Sequence, residues 1–365
     1  MAASRPPLPA GTAAMPLVAR AAAVVVASWN GRHLLPACLD ALLAQEAPGW
    51  TVEIIVVDNG STDGTAAFLA DSYPQVRVIA LPANLGFGAA VNRGIVDTTA
   101  PFVVLVNNDA VCEPGFVAAL LAPFDSPDAD KLGAVTARII LADRYRVADA
   151  ADRGALAGFD GRRWVPSADG VELLNSTGNE VTISGNGRDR SWLSPVDSPP
   201  PPVDVFGFCG GAAALRRGAL DRVGTFDERL FLYYEDTDLS WRLRRHGWQI
   251  TYAHDAVVRH RHAASSGVDS EFFIRHNDRN RVVVALRNAP LPVVVRAVVH
   301  TAGRAARDVV RGHNVRRHLQ TARYLAVRLP GILRERRDLN RAATVSRREL
   351  ASYLVGEKGD ATPVA

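Results

Sequence analysis

The sequence has few cysteines and no long apolar run, and each shortage excludes a class of protein. Its three cysteines (Cys38, Cys112 and Cys209) are odd in number, widely spaced and without a Cys-X-X-Cys motif, which argues against a disulfide framework and for a reducing compartment. No apolar run approaches the ~18 residues of a membrane-spanning helix, and residues 291–299, which come closest, are interrupted by Arg296. We therefore expect a cytoplasmic protein, at most peripheral at the inner face of the plasma membrane.

Lysine is absent from residues 281–348, yet this segment is strongly basic. It holds 16 arginines and three acids, a net charge of +13, and because the whole chain carries +4, the remainder carries −9. A basic segment on an acidic body indicates an anionic partner. No aromatic RNA-binding motif accompanies the arginines, so we rank a membrane surface above nucleic acid. Solvated helices, or helices packed on the body or on a second subunit, remain the alternatives.

The first 100 residues alternate between strand and helix patterns. Residues 1–19, rich in Ala and Pro, form a predicted disordered leader. Apolar, β-branched runs then predict strands over 21–27, 52–57, 76–79 and 101–106, and helical periods fall between them over 34–47, 65–72 and 89–97. This alternation predicts an α/β fold with a mostly parallel, doubly wound sheet. Asp58 and Asp109 both follow buried strands and should share one edge of that sheet.

The later chain is less regular. A helix over 115–124 and a strand over 133–141 are followed by a Gly-, Asp-, Arg- and Pro-rich stretch, which predicts an irregular insert over 143–202. We divide the chain into a nucleotide-sugar-binding half (20–142), this insert, an acceptor and catalytic half (203–289), a basic helical extension (290–350) and a tail (351–365).

Three groups of polar residues are candidates for chemistry. Asp109, at the end of the most apolar strand, offers a hard oxygen ligand to Mg²⁺ or Mn²⁺, although Asn107-Asn-Asp109 is also typical of a turn or helix cap. Glu235 and Asp236 open a helix, where acids are favoured by the helix dipole; as neighbours they face different sides, so at most one serves as a general base. His260 and His262 lie two apart after a strand, a spacing that favours a metal ligand.

Five motifs in order resemble family-2 glycosyltransferases of the GT-A fold over about residues 22–290. They are Val56-Val-Asp-Asn-Gly-Ser-Thr-Asp63, Asn84-Leu-Gly-Phe-Gly88, Asn107-Asn-Asp109, Gly210-Gly-Ala with Phe226-Asp-Glu and Tyr234-Glu-Asp-Thr-Asp-Leu239, and Val258-Arg-His260 through Ser265. The third and fourth are closest to bacterial rhamnosyltransferases, and galactofuranosyltransferases share much of the pattern. The chain departs from a strict Asp-X-Asp motif at Asn107, which leaves one full charge for the metal.

The resemblance implies residue roles. Asp236 is the implied catalytic base, Asp58 the acceptor of the pyrimidine N3–H, and Asp109 with His260 the metal site. Residues implied to bind the donor are Asn30, Asp58, Asn59, Asn84, Gly86, Asn92 and Asn108. Residues implied to contact the acceptor or to serve another role are Glu235, Gly210, Gly211 and Trp192. Arg190, close to Trp192 in the sequence, is a further candidate for contact with acceptor or donor. Asp238 is expected to cap the helix or to pair with another side chain.

The implied activity is an inverting, Mg²⁺- or Mn²⁺-dependent transfer of a sugar, rhamnose from dTDP-rhamnose as first candidate, to a hydroxyl of a cell-envelope glycan or lipid-linked acceptor. A UDP-sugar transferase (galactofuranose or N-acetylhexosamine) and a non-catalytic sugar-nucleotide- or polysaccharide-binding protein are the alternatives. A nucleotidyltransferase would carry a basic Gly-rich loop after the first strand, where this chain has Ser28-Trp-Asn-Gly31. The sequence leaves the oligomeric state open.

Overall fold

The first four strands form the parallel half of a central sheet. The computed structural model describes residues 20–261 and 271–357. Within it, β1 (Ala21–Ser28) pairs in parallel with β2 (Thr51–Asp58) and β4 (Phe102–Val106), and β2 pairs with β3 (Arg77–Ala80). Helices α1 (Leu35–Leu43), α2 (Thr65–Ser72) and α3 (Phe87–Val96) connect them. Apolar clusters cover both faces, which explains why the strands read as unbroken apolar runs. The predicted α/β fold is confirmed.

The second half continues the same sheet in mixed orientation. Its main elements are β5 (Ala110–Cys112), α4 (Phe116–Leu121), β6 (Leu132–Val147), β12 (Ala212–Arg216), α5 (Arg217–Val223), α6 (Glu235–Arg245) and β13 (Gln249–His260). The strand order is β3-β2-β1-β4-β12-β6-β13-β5, with β12 antiparallel to both neighbours. The strand ends with candidate residues, at Asp58, Asp109 and His260, therefore come from three separate parts of the sequence.

The predicted irregular insert contains short strands, so that part of the prediction is wrong. They are β7 (Leu156–Ala157), β8 (Arg163–Pro166), β9 (Val171–Ser176), β10 (Asn179–Val181) and β11 (Gly187–Asp189). β9 and β8 pair with β6, and β6 itself runs past the expected boundary at residue 142. Strands of two to six residues are too short to show a clear alternating pattern, which is why they could not be recognised beforehand.

Three long helices follow β13, and they pack on the body. α7 (Glu271–Asn288), α8 (Leu291–Val310) and α9 (Val315–Ala342) share a third apolar cluster with α6, with members such as Trp241, Val293 and Ile332. None of the described helices is long and apolar enough to cross a membrane. The predicted leader over 1–19, His262 and the tail beyond residue 357 lie outside the described residues.

Candidate functional site

Asp58 ends β2 and Asn108 follows β4, and these two strands flank β1 in the sheet. Ser28 of β1 is in register with Asp58, and its Oγ accepts a hydrogen bond from Asn108 Nδ2 at 3.0 Å. Asp58 is buried, and its Oδ1 accepts from the Ser61 backbone N–H at 3.0 Å. Its Oδ2 has no hydrogen bond from the described residues. The expectation that these strand ends share one edge of the sheet is confirmed, and one carboxylate oxygen there is available to a ligand.

Two asparagines hold the loop beside this edge. Asn59 Nδ2 donates to Asn84 Oδ1 at 3.0 Å and to the Gly86 carbonyl at 3.2 Å, while its Oδ1 accepts from the Leu85 N–H. Gly86 has φ +90°, and a Cβ there would lie 2.3 Å from the Phe231 carbonyl oxygen. Only glycine fits both the backbone conformation and this approach. Asn59, Asn84 and Gly86 thus shape the loop, whose binding of a donor stays a prediction.

The structure places the other two predicted donor residues differently. Asn30 has a positive φ, and its Oδ1 accepts from the Thr62 N–H at 2.8 Å, so it fastens the turn after β1 to the turn after β2. Asn92 is buried, and its amide bonds to Phe226 N and O and to Glu228 Oε1. Asn92 therefore ties α3 to the loop before α6, and donor binding by Asn30 and Asn92 stays a prediction.

Asp109 and His260 meet where β4 ends and β13 ends. His260 Nε2 lies 3.0 Å from Asp109 Oδ1 and 3.5 Å from Asn107 Nδ2. Asp109 Oδ1 is buried and has no hydrogen bond of good geometry from the described residues. The other ring nitrogen, Nδ1, lies 2.8 Å from Asn175 Oδ1 and donates to it, which leaves the Nε2 lone pair facing Asp109. An outer partner that fixes a histidine tautomer in this way is typical of metal ligands.

These groups fit a divalent cation. A buried carboxylate oxygen without a partner, an imidazole lone pair and a nearby amide are ligands that Mn²⁺ accepts, and Mg²⁺ accepts the oxygens. No set of three His, Cys, Asp or Glu side chains of metal-binding geometry occurs among residues 20–261 and 271–357. A cation here would therefore depend on ligands beyond these protein groups, as diphosphate oxygens or water provide.

The turn Gly210–Gly211 joins this corner to the predicted base. Asn107 N–H donates to the Gly211 carbonyl at 2.9 Å, and Gly210 N–H donates to Asp236 Oδ2 at 3.1 Å. Asp236 Oδ1 accepts from the Thr237 N–H at 2.6 Å. The structure therefore brings Asp236, the two glycines and the Asn107–Asp109 corner together, although 127 residues separate Asp109 from Asp236 in the sequence.

Glu235 and Asp236 share a largely enclosed, negatively charged environment. Burial and the neighbouring Asp236 carboxylate raise the pKa of Glu235 to about 8, and Glu235 Oε2 has no hydrogen-bond partner among the described residues. Burial also raises the pKa of Asp236, while the N–H groups of Gly210 and Thr237 act in the opposite direction. Since hydrogen bonds to the charged form favour it, Glu235 holds the proton and Asp236 ionises first.

Two residues at this site were missed by sequence reasoning. Asn175, near the end of β9, orients His260 as described above. Asp189, which ends β11, lies near Ser176 and Cys209, whose side chains favour its ionised form, while burial and the Asp236 carboxylate raise its pKa to about 6. Both residues lie in the segment expected to be irregular, and they reach the site through strand pairing over long sequence separations. No local pattern marks them.

Asp238 is a structural residue, as expected. It is fully buried and forms ion pairs with Arg242 at 2.9 Å and Arg287 at 2.6 Å, and Asn288 Nδ2 donates to it. The two cations hold the pKa of Asp238 below its ordinary value despite burial. This pairing fixes α6 to α7, and so positions the helix whose first turn carries Asp236.

Trp192 and Arg190 pack within the insert. Trp192 Nε1 donates to the Ala157 carbonyl, and its ring packs against an apolar cluster between β6, β8 and β9. The Arg190 guanidinium donates to the Pro202 and Thr177 carbonyls and lies over the Tyr252 ring. These contacts give both side chains a role in folding the insert, and their contact with an acceptor or donor stays a prediction.

Known proteins resemble this chain over most of its length. The model of Glycosyl transferase family 2 matches residues 23–181, and that of Glycosyltransferase like family 2 matches residues 205–285. An N-acetylglucosaminyl-diphospho-decaprenol L-rhamnosyltransferase of Mycobacterium tuberculosis is 31% identical over 287 residues, 73% of this chain and 84% of that protein. The succinoglycan biosynthesis protein ExoO of Rhizobium meliloti is 35% identical over 106 residues, 29% of this chain and 30% of that protein.

A solved structure shares the fold. The crystal structure of GalNAc-T7 with UDP, GalNAc and Mn²⁺ superposes with a TM-score of 0.53 at 15% identity, over 73% of this chain and 47% of that one. At this identity the likeness concerns the GT-A fold alone. With the family models covering both halves of the sheet and the mycobacterial relative covering most of the chain, the protein belongs to glycosyltransferase family 2 and is an enzyme of that family.

Proposed function

We propose that the protein transfers a sugar, rhamnose from dTDP-rhamnose as first candidate, to a hydroxyl of a lipid-linked or cell-envelope glycan acceptor, with inversion at the anomeric carbon. The proposal rests on the hydrogen bond from Gly210 N–H to Asp236, because the next residue, Gly211, accepts a hydrogen bond from Asn107. This puts a base beside the Asp109–His260 corner. The name of the mycobacterial relative supports the sugar and the lipid-linked acceptor class.

Asp236 is the base in this proposal. It takes the proton from the acceptor hydroxyl as that oxygen attacks the anomeric carbon, and the nucleoside diphosphate leaves from the opposite face. The Gly210 and Thr237 N–H groups favour the ionised form of Asp236, and Glu235, which holds its proton to about pH 8, adds no second charge at neutral pH. A single displacement of this kind inverts the anomeric centre.

Asp58 and Asp109 hold the two ends of the donor. The Oδ2 of Asp58 accepts the N3–H of a pyrimidine, and Asp109 with His260 would hold Mg²⁺ or Mn²⁺, which would supply positive charge to the leaving diphosphate. Asn59, Asn84, Gly86 and Asn108 shape the loops between them. The Arg-rich C-terminal helices face an anionic membrane in this proposal, where a lipid-linked acceptor resides.

The first experiment is a thermal-shift series with dTDP, UDP, GDP and CDP, each with and without Mn²⁺. A ligand that binds only the native state raises its melting temperature by mass action. A Mn²⁺-dependent shift with dTDP supports a rhamnosyl donor, and a shift with UDP instead redirects the proposal to galactofuranose or an N-acetylhexosamine. Absence of any shift would contradict donor binding at this site.

The second experiment tests the base. With the donor so identified, Asp236→Asn should lower the turnover number by about 10²–10⁴-fold while leaving the nucleotide shift intact, because only proton transfer is lost. Asp338→Asn, an exposed carboxylate on α9, is the matched control. Near-normal turnover of Asp236→Asn would remove the base assignment. A protein that binds nucleotide but neither transfers nor hydrolyses the donor would be the binding-only alternative.

A further inference from the structure

Helix α8 exposes an uncharged apolar stripe along its whole length. At 100° per residue, one face of the helix collects side chains that are all apolar and all exposed: Leu291, Pro292, Val295, Val298, Val299, Ala302, Ala306, Val309 and Val310. Val295 is 52% exposed, Val299 64% and Val310 87%. With 20 residues, α8 is about 30 Å long. So long an exposed apolar stripe marks an interaction surface.

The opposite face of α8 is already used. Val293, Val294 and Ala297 are buried in the cluster shared with α6, α7 and α9. The helix therefore already packs on the body through this opposite face, and the stripe is not needed to hold it in place. Arg304, also on the far side, pairs with Asp278 at 2.8 Å.

Cations line one border of the stripe. Arg296 and Arg307 are exposed, and neither forms an ion pair with any described residue. The only acid of α8, Asp308, is engaged by Arg317 and His318. The surface around the stripe thus carries arginines without compensating carboxylates. An apolar stripe bordered by such cations matches an anionic, partly apolar partner.

We infer that α8 lies in the interface of an anionic lipid membrane, with the stripe between its headgroups and acyl chains and Arg296 and Arg307 at the phosphates. A second copy of the chain fits less well, because burying the stripe against itself would bring two arginine borders together with no acids opposite. The inference deepens the proposed function and rests on it in one respect, since a lipid-linked acceptor resides in that same surface.

Contacts of α8 connect it to the candidate site. A Cβ at Gly185 would lie 3.4 Å from Ala297 and 3.5 Å from Val293, so the loop between β10 and β11 packs directly on the helix. Arg281 of α7 bridges the same region, since it donates to Asn186 Oδ1 of that loop and to Thr301 Oγ1 of α8. β11 ends at Asp189, beside Asp236. A membrane-bound α8 would therefore hold the acceptor side of the site at a fixed position over the bilayer.

The test is sedimentation of the full-length protein with vesicles. One set contains equal parts of phosphatidylglycerol and phosphatidylcholine, and the other contains phosphatidylcholine alone. We expect binding to the anionic vesicles that weakens with salt, and a loss of at least about tenfold in partition for Val295→Asp/Val299→Asp. The control, Val96→Asp/Val203→Asp, adds the same two charges at exposed valines on other elements and should bind as the unchanged protein does.

Two further measurements separate the outcomes. The nucleotide-induced thermal shift of Val295→Asp/Val299→Asp should equal that of the unchanged protein, because the stripe lies outside the donor loops. The inference is overturned if the unchanged protein does not bind anionic vesicles, or if both double variants bind them equally. If the nucleotide-induced thermal shift persists in either case, the proposed function still stands. Light scattering that shows a dimer of the unchanged protein and a monomer of Val295→Asp/Val299→Asp would also overturn it, in favour of a second copy.

Discussion

His260 Nδ1 lies 2.8 Å from Oδ1 of Asn175, a residue 85 positions earlier in the chain. This one contact decides which ring nitrogen carries the proton, and it turns the Nε2 lone pair toward Asp109. Because Asn175 lies near the end of β9 and His260 ends β13, both paired with β6, the sheet itself sets the orientation of the imidazole.

The first prediction follows from that contact. Asn175→Ala should weaken Mn²⁺ binding by about 10–100-fold, because the imidazole loses the acceptor that fixes its tautomer. Activity titrated with Mn²⁺ gives the apparent affinity, and the melting temperature without metal shows whether the fold is kept. Asn175→Asp, which retains an acceptor oxygen, should bind Mn²⁺ at least as well as the unchanged protein. Equal Mn²⁺ affinity for Asn175→Ala would show that this contact does not support a metal ligand.

The second prediction concerns Gly86. Gly86→Ala places a Cβ 2.3 Å from the Phe231 carbonyl oxygen at a positive φ, and we expect a loss of about 2–4 kcal/mol in the free energy of unfolding together with weaker nucleotide binding. Gly115 also has a positive φ, but no atom lies within 4 Å of the position that a Cβ would take there, so Gly115→Ala should cost only about 1 kcal/mol. Urea unfolding of both variants separates the effect of the 2.3 Å contact from that of the positive φ. Equal losses in the free energy of unfolding would contradict a separate effect of the contact.

The parallel half of the fold was predictable because its signals are local. β1, β2 and β4 are apolar on both faces, and each is followed or ended by a polar residue, so composition marks both the strand and its end. Asp58 and Asp109 could be assigned to one edge from that pattern alone. Asp238 was expected to be structural, and its pairing with Arg242 and Arg287 confirms this.

The insert and its contribution to the site were not predictable in the same way. β7 to β11 gain their hydrogen bonds from β6 and from each other, and their short sequences carry no clear period. Asn175 and Asp189 reach His260 and Asp236 only after this pairing has formed. The apolar stripe of α8 was visible in the sequence as valines between arginines, but only the packing of Val293 and Ala297 shows which face is exposed.

The third prediction concerns the buried ion pair of α6. Asp238→Asn leaves Arg287 and Arg242 in a buried place without their shared carboxylate, and we expect a loss of about 3–5 kcal/mol in the free energy of unfolding. Asp338→Asn breaks an exposed pair with Arg341 and should leave the unfolding midpoint unchanged. Urea unfolding followed by circular dichroism measures both. A midpoint for Asp238→Asn equal to that of the control would rule out a structural role for the pair.

The fourth prediction is a pH dependence from Glu235. Its pKa is raised from 4.5 to about 8, so between these values the unfolded chain has lost a proton that the folded chain still holds, and the free energy of unfolding falls as pH rises through that window. Glu235→Gln removes this dependence and should be more stable than the unchanged protein by about 1–3 kcal/mol near pH 8. The two proteins should differ least near pH 4.5. Parallel stability curves from pH 4.5 to 8 would contradict a protonated Glu235.

The fifth prediction assigns Asp189 an electrostatic role near the base Asp236. Burial and the Asp236 carboxylate raise the pKa of Asp189 to about 6, so Asp189 ionises after Asp236 and then adds a second negative charge near the base. Asp189→Asn removes this ionisation, so the step that it causes near pH 6 in the turnover–pH profile should disappear. The nucleotide-induced thermal shift at neutral pH should stay unchanged, because Asp189 lies away from the donor loops.

Asp204→Asn is the matched control for this change in the pH profile, since Asp204 is an exposed carboxylate of the same half of the chain and pairs with Arg244. Its turnover–pH profile should coincide with that of the unchanged protein. A purely structural Asp189 would lower the turnover number at every pH and leave the step near pH 6 in place, and that result would contradict the electrostatic role. Loss of the step with an unchanged plateau would establish that three carboxylates, not two, set the charge around the base.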